Sequence, residues 1–217
     1  MYDTIIIGAG PVGSYLAEKL ARLGYKVLVL DKKLAAGQDI CCTGIVSKEC
    51  FGLLVVDGNL IFRQASSAKF LSPSGKPLRL WRNDEVAYII DRPALDLALT
   101  NRAQASGVCY LFGTHVTDIH TGTDCLHVAT NHEGQTRLFE AETVVVATGF
   151  GSFLPGKLGL GKISDFVSGA QAEVNISSLD EVEIYFDQTL APGGFAWLVP
   201  TRDGKGLAGL LTHRQPE

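Results

Sequence analysis

Thr4-Ile5-Ile6-Ile7-Gly8-Ala9-Gly10-Pro11-Val12-Gly13 decides how this chain is read. The run Thr4–Ile7, rich in β-branched residues, predicts a short strand buried on both faces, and a glycine turn follows at once. Tyr15, Leu16, Leu20 and Leu23, with Ala17 and Ala21 on the packing side, predict a helix that Gly24 ends. Lys26-Val27-Leu28-Val29-Leu30 predicts a second strand, closed by Asp31. Strand, glycine turn, helix, strand and terminal acid at this spacing form the fingerprint of a dinucleotide-binding βαβ unit. Gly8 permits the tight turn, Gly10 lets backbone approach a pyrophosphate, and Gly13 with Ala17 lets the helix press on the sheet. The helix N-terminus offers free N–H groups and partial positive charge to the diphosphate. Asp31 can accept both hydroxyls of a ribose and repels a 2′-phosphate, which disfavours NADP at this site. A turn that merely packs tightly is the bland alternative, and the flanking elements weigh against it.

Composition supports a folded protein that can bury a core. The 217 residues are long for one domain and short for two full ones; 46% are hydrophobic and 19% charged, which excludes a disordered or solvating chain. Nineteen basic residues against 23 acidic ones leave a formal charge of -4, so no domain-wide positive field exists for nucleic acid. Met1-Tyr2-Asp3 lacks the basic start of a secretory signal, and no apolar stretch reaches spanning length. The five cysteines, Cys41, Cys42, Cys50, Cys109 and Cys125, read as reduced thiols of a cytoplasmic protein.

Further along, Gly37–Lys48 reads as a polar loop leading into a short helix, and residues 53–88 as short strands broken by turns at 57–59 and 72–75. Val86–Ile90 predicts a strand, Asp91-Arg92-Pro93 a helix start, and Ala94 to Gly107 the helix itself. Val108–Phe112 predicts another strand, followed by two or three antiparallel ones through residue 141. Thr143–Val146 then reads as a third buried parallel strand ending at Ala147-Thr148-Gly149. From about residue 163 the pattern alternates, with strands near Val167–Val174, Val182–Phe186, Ala196–Val199 and Gly206–Leu211. Parallel α/β segments (1–36, 89–112, 142–149) thus interleave with antiparallel ones. The expected class is α/β, an open nucleotide sheet carrying an inserted β-rich substrate layer, an arrangement typical of flavoproteins. The expected division is discontinuous: 1–52 plus 86–162 for the nucleotide, and 53–85 plus 163–217 for the substrate.

Four stretches together make the chain resemble the FAD-dependent geranylgeranyl reductase family, within the flavin hydroxylase-like superfamily. They are the Gly8–Asp31 unit; Cys41-Cys42-Thr43-Gly44; Ile90-Asp91-Arg92-Pro93-Ala94-Leu95-Asp96; and Ala191-Pro192-Gly193-Gly194-Phe195-Ala196-Trp197-Leu198-Val199-Pro200. The first and third mark the superfamily, and the fourth is specific, with Val199 where the family usually has Phe. The fold implied is a Rossmann-like FAD-binding fold with an interleaved antiparallel β layer. The resemblance implies FAD contacts at Gly8, Gly10, Pro11, Val12, Gly13, Asp31, Lys32, Cys42, Gly44, Arg92, Val116, Thr148 and Gly149. Val116 enters as a backbone contact to adenine.

The residues leave alternatives open. Arg92 can pair with the diphosphate or lie beside the flavin; it can equally make a helix-start ion pair with Asp91 or Asp96. Ala147-Thr148-Gly149 suits close approach of a ligand or simply a tight turn. Cys41 and Cys42 are the catalytic candidates, as a redox thiol, a thiolate near the flavin or a soft pocket wall; two small loop residues would look the same. One of the pair neighbours the isoalloxazine by resemblance. Phe195 and Trp197 fall two apart on a strand, so they share a face and suit an apolar substrate wall or ordinary core packing. His115, His120, His127, His132 and His213 show no ligand spacing and are assigned to the surface, so no metal site is expected.

The resemblance implies reduction of isolated C=C bonds in a polyprenyl chain of a lipid or a prenylated pigment. Reduced flavin would give a hydride to one alkene carbon while a second group supplies the proton. Its partners would be that substrate, an electron donor (NAD(P)H or ferredoxin-like), and a membrane surface touched peripherally. An aromatic-ring monooxygenase and a non-catalytic flavin-binding fragment are the rival readings. The superfamily's late Gly-Asp segment, which closes over the flavin, has no counterpart here. The chain is therefore expected to be C-terminally incomplete and, by itself, a weak FAD binder.

Overall fold

The computed structural model describes residues 1–176 and 178–213. In chain order its elements begin with β1 (Tyr2–Ile7), α1 (Pro11–Arg22), β2 (Val27–Leu30), β3 (Ile45–Ser47), α2 (Lys48–Leu54), β4 (Ile61–Ala65), β5 (Ser67–Leu71) and β6 (Pro77–Trp81). Next come β7 (Ala87–Ile90), α3 (Arg92–Ala105), β8 (Cys109–Leu111), β9 (Thr114–Thr121), β10 (Leu126–His132), β11 (Gln135–Val146) and α4 (Leu154–Lys157). The last are β12 (Ser168–Asn175), β13 (Val182–Tyr185), β14 (Phe195–Pro200) and β15 (Lys205–Thr212). Two compact units result, one of Met1–Ile40 with Pro93–Lys162, the other of Cys41–Arg92 with the chain from Ile163 onward. No helix among the described residues is long and apolar enough to cross a membrane.

The first unit centres on a six-stranded sheet ordered β8-β2-β1-β11-β10-β9. β1 runs parallel to β2 and β11, with Ile5 opposite both Leu28 and Val144, and β2 runs parallel to β8. Ile5, Leu28 and Leu30 pack on one side with Val116, Val128 and Leu154; Ile6, Val27 and Val29 pack on the other with Ala17 and Ala103. Burial on both sides is why these strands read as unbroken apolar runs. Residues 135–141 of β11 pair antiparallel with β10, and residues 141–146 pair parallel with β1. The two strands expected on either side of residue 141 are therefore one strand of 12 residues. Ala141-Glu142-Thr143 contains no glycine or proline to break it, and Ala141 is fully buried where the two pairings meet.

Helices α1 and α3 are tied by polar side chains as well as by small ones. Ser14 and Thr100 share a hydroxyl hydrogen bond of 3.3 Å. Glu18 is completely buried; Arg102 grips both its oxygens, at 3.3 Å and 2.5 Å, and Arg22 reaches it at 2.7 Å. Removing one charged partner of a buried carboxylate leaves desolvated charge behind. Arg102→Ala is expected to cost about 2 kcal/mol, moderated by the remaining Arg22, and urea denaturation measures it.

In the second unit a six-stranded sheet ordered β12-β15-β14-β13-β5-β6 accompanies a three-stranded one ordered β3-β7-β4. Only β13 and β5 pair in parallel within the larger sheet; β7 pairs antiparallel with both its neighbours. Ile89, Val182 and Val199 form the core, with Phe62, Ala68, Ile184, Trp197 and Leu207 packed against them. This differs from the expectation that residues 89–90 continue the parallel sheet. Tyr88 and Ile89 have partners on both edges, in Ile45 and Val46 of β3 and in Arg63 and Gln64 of β4, and Ile89 is needed in this core. Residues 41–52 and 86–92, expected with the nucleotide part, consequently belong to the second unit.

Candidate functional site

The first unit carries a cleft at the C-terminal ends of β1, β2 and β11. Gly8 has φ of 113°, and a Cβ built on it would lie 2.3 Å from the Ala147 carbonyl oxygen, so only glycine lets the loop leave β1 beside β11. Gly13 sits closer still: its Cβ would lie 1.9 Å from the Gly8 carbonyl oxygen. Gly10 contrasts with both, since a Cβ there meets nothing within 4 Å. Its open side adjoins the cleft. Pro11 occupies the first turn of α1, which contains no acidic side chain, so the helix N-terminus keeps its positive end.

Asp31 closes the other wall. Its Oδ2 accepts from the Ala9 N–H at 2.7 Å and its Oδ1 from the Lys33 N–H at 2.8 Å, leaving one further acceptor site on each oxygen. Gly8, Gly10, Pro11, Val12, Asp31, Lys32, Val116, Thr148 and Gly149 all line one cavity of about 320 Å³. Gly13 acts from beneath it, through the contact with Gly8. His115, Phe150 and Phe153 join the lining without having been singled out from the sequence; the His115 and Phe153 rings meet edge-on at 6.1 Å. The signal was there in Gly149-Phe150-Gly151-Ser152-Phe153, an aromatic tract directly after the strand end. Val12 and Phe150 are each 72% exposed, an apolar rim of the kind a bound ring would cover. Open backbone at a helix N-terminus, a carboxylate two hydroxyls can share and this rim suit the ADP half of a dinucleotide.

The second unit assembles the other motifs. Gly44, at φ 72°, would carry a Cβ 2.3 Å from the Ile90 carbonyl oxygen, which presses the cysteine loop onto β7. Arg92 Nη1 donates to Cys42 Sγ at 3.2 Å, and the Gly44 N–H donates to the same sulfur at 3.4 Å. Asp91 accepts from Arg202 at 3.1 Å. Cys41 is exposed, so Cys42 is the member of the pair built into the loop.

Gln171, which nothing in the sequence marked, joins the loop to the tryptophan strand. Its Nε2 donates to the Cys42 carbonyl at 3.2 Å, and its Oε1 accepts from Trp197 Nε1 at 3.2 Å. Gly209 makes room for the indole; a Cβ there would lie 2.4 Å from Trp197 Cζ2. Phe195 packs edge-on against Trp197 at 6.0 Å and against Phe186 at 6.2 Å. Trp197 also packs on the Ile89–Val182–Val199 core.

The alternate residues of the same strands, including Ala170, Ala196, Leu198 and Leu210, line an apolar groove of about 530 Å³ that Trp197 also borders and Phe195 does not. At its edge burial, and then the hydrogen bond to Glu183, push the Tyr185 phenol up to about 12.

A family model described as pyridine nucleotide-disulphide oxidoreductase matches residues 2–190. The chain is 30% identical to digeranylgeranylglycerophospholipid reductase 1 of Methanococcoides burtonii, over 96% of its own length and 54% of that protein. A geranylgeranyl bacteriochlorophyll reductase-like protein from Thermoplasma acidophilum superposes with a TM-score of 0.88 at 24% identity, covering 98% of this chain and 56% of the other. The flavin-dependent brominase Bmp2 superposes with a TM-score of 0.77 at 18% identity, covering 98% and 56%. The two structural likenesses establish the fold, and the chain spans about half the length of the curated relatives it matches.

Proposed function

This chain belongs to the pyridine nucleotide-disulphide oxidoreductase family, and on that premise we propose that it is part of an FAD-dependent reductase acting on C=C bonds of a polyprenyl lipid. The observation that carries the reading is the Cys42–Gln171–Trp197 linkage, which brings two motifs far apart in sequence into one hydrogen-bonded group. The names of the relatives support the same substrate class. FAD, when bound, supplies hydride transfer. The protein's share is positioning: Asp31 takes the ribose, the N-terminus of α1 takes the diphosphate, and Gly10 leaves the approach open.

In the second unit, Arg92 and the Gly44 N–H hold the Cys42 sulfur, while Gln171 holds the Cys42 backbone and the indole at once. The apolar groove offers walls of the kind an isoprenoid chain needs, and burial of such a chain against them favours an apolar substrate. The electron donor is NAD(P)H or a ferredoxin-like protein, and the lipid is met at a membrane surface.

The test is anaerobic. FAD-saturated chain is chemically reduced, a geranylgeranyl glycerophospholipid in detergent is added, and the return of oxidised-flavin absorbance is followed with product analysis. Saturated product is the expected outcome. Gln171→Leu should slow the return about tenfold, the equivalent of one hydrogen bond of about 1.4 kcal/mol, and alter Trp197 fluorescence in the absence of substrate. Flavin that stays reduced until air is admitted, leaving the lipid unsaturated, would favour the monooxygenase reading and overturn this one.

A further inference from the structure

We propose that Cys125, His127 and Glu140 bind a zinc-type divalent cation on the first unit, independently of the flavin reading. Their ligand atoms all lie within 4.8 Å of one another. Gly122 N–H donates to the Cys125 carbonyl at 2.8 Å to close the turn between β9 and β10, and Cys125 lies two residues before His127. Glu140 then stands directly opposite His127 in the β10–β11 pairing. His127 Nδ1 is buried, has no hydrogen-bond partner among the described residues, and lies 3.9 Å from Glu140 Oε1. Gly122 seats the ring: a Cβ there would fall 2.7 Å from His127 Nε2.

The chemistry of this donor set is specific. One thiolate, one imidazole and one carboxylate match a borderline-soft tetrahedral ion, with water in the fourth position. Metal–ligand bonds of about 2.0–2.3 Å put neighbouring ligand atoms roughly 3.3–3.7 Å apart, so side-chain shifts of about 1 Å complete the site. Binding displaces the thiol proton of Cys125 to solvent and leaves no redox step. His120, the partner of His127 in the β9–β10 pairing, is engaged by Asp118 at 2.9 Å, and Asp118 also holds Lys157 at 2.7 Å; three protein ligands therefore remain. Glu140 arrives from the next strand, a neighbour of His127 that no local spacing reveals.

Zinc is added to the 217-residue chain, and cysteine alkylation is mapped by peptide mass spectrometry alongside calorimetric titration. Zinc is expected to shield Cys125, while the exposed Cys41, Cys50 and Cys109 continue to react. His127→Gln and Glu140→Gln should each weaken binding at least about tenfold. Glu140 is half exposed, so its variant reports even where the histidine variant misfolds. Unchanged alkylation of Cys125 at saturating zinc, or wild-type affinity in Glu140→Gln, overturns the proposal, as does protection confined to Cys41 and Cys42.

Discussion

Gly13→Ala is expected to destabilise the first unit by about 3 kcal/mol or more, whereas Gly10→Ala is expected to leave its stability within about 1 kcal/mol and still weaken FAD binding about tenfold or more. The two glycines are three residues apart and belong to one motif, yet their surroundings are opposite. A methyl on Gly13 meets the Gly8 carbonyl oxygen at 1.9 Å and the Ile6 side chain at 3.4 Å. Backbone cannot move away cheaply there, because Gly8 is itself pinned by its N–H bond to the Leu30 carbonyl at 2.8 Å and by its closeness to Ala147. A methyl on Gly10 meets no protein atom, and its backbone (φ -72°, ψ -178°) is one alanine adopts freely. On the proposed reading it would stand in the space that the diphosphate enters. Chemical denaturation and FAD titration by fluorescence quenching, run on both variants, separate the effects. A Gly10→Ala chain that binds FAD as wild type does would place the diphosphate elsewhere.

Asp31→Ala is expected to raise the FAD dissociation constant about 100-fold, and Asp31→Asn about tenfold. The carboxylate has two tasks. It accepts the Ala9 and Lys33 N–H groups, at 2.7 Å and 2.8 Å, and so holds the glycine loop in shape. Asp31 also lines the cavity, and on the proposed reading its remaining acceptor sites would take the ribose hydroxyls. Hydrogen bonds to a charged acceptor contribute about 1.5–3 kcal/mol each, and alanine loses the set. Asparagine keeps one acceptor oxygen but turns an NH₂ toward one of two backbone donors, which accounts for the intermediate value. Equilibrium dialysis against FAD checks both numbers, and equal affinities for wild type and Asp31→Ala would remove the ribose from this cleft.

The β1–α1–β2 unit was readable because everything that specifies it is local. Apolar β-branched runs, a glycine turn and an acid at the end of β2 lie within the first 31 residues. Nine of the cofactor residues implied by resemblance do converge on one cavity, since they follow strand ends whose direction the pattern already dictates. Legibility ended where partners come from afar. The unit boundaries moved to 40/41 and 92/93 because β7 has partners on both of its edges in another sheet, and a four-residue apolar strand does not announce which sheet it joins.

Periodicity and turn chemistry in the amino-acid order alone were enough to establish an α/β nucleotide-binding chain, the direction of its first helix and the acid at the end of β2. Tertiary structure alone decided that Gly13 is pressed against Gly8, that Cys42 rather than Cys41 is held, and that Gln171 bridges to Trp197. It likewise brought Glu140 to His127. The reason is physical: a glycine's missing Cβ, a cross-strand neighbour and a hydrogen-bonded glutamine acquire meaning only from atoms that folding delivers from distant parts of the chain.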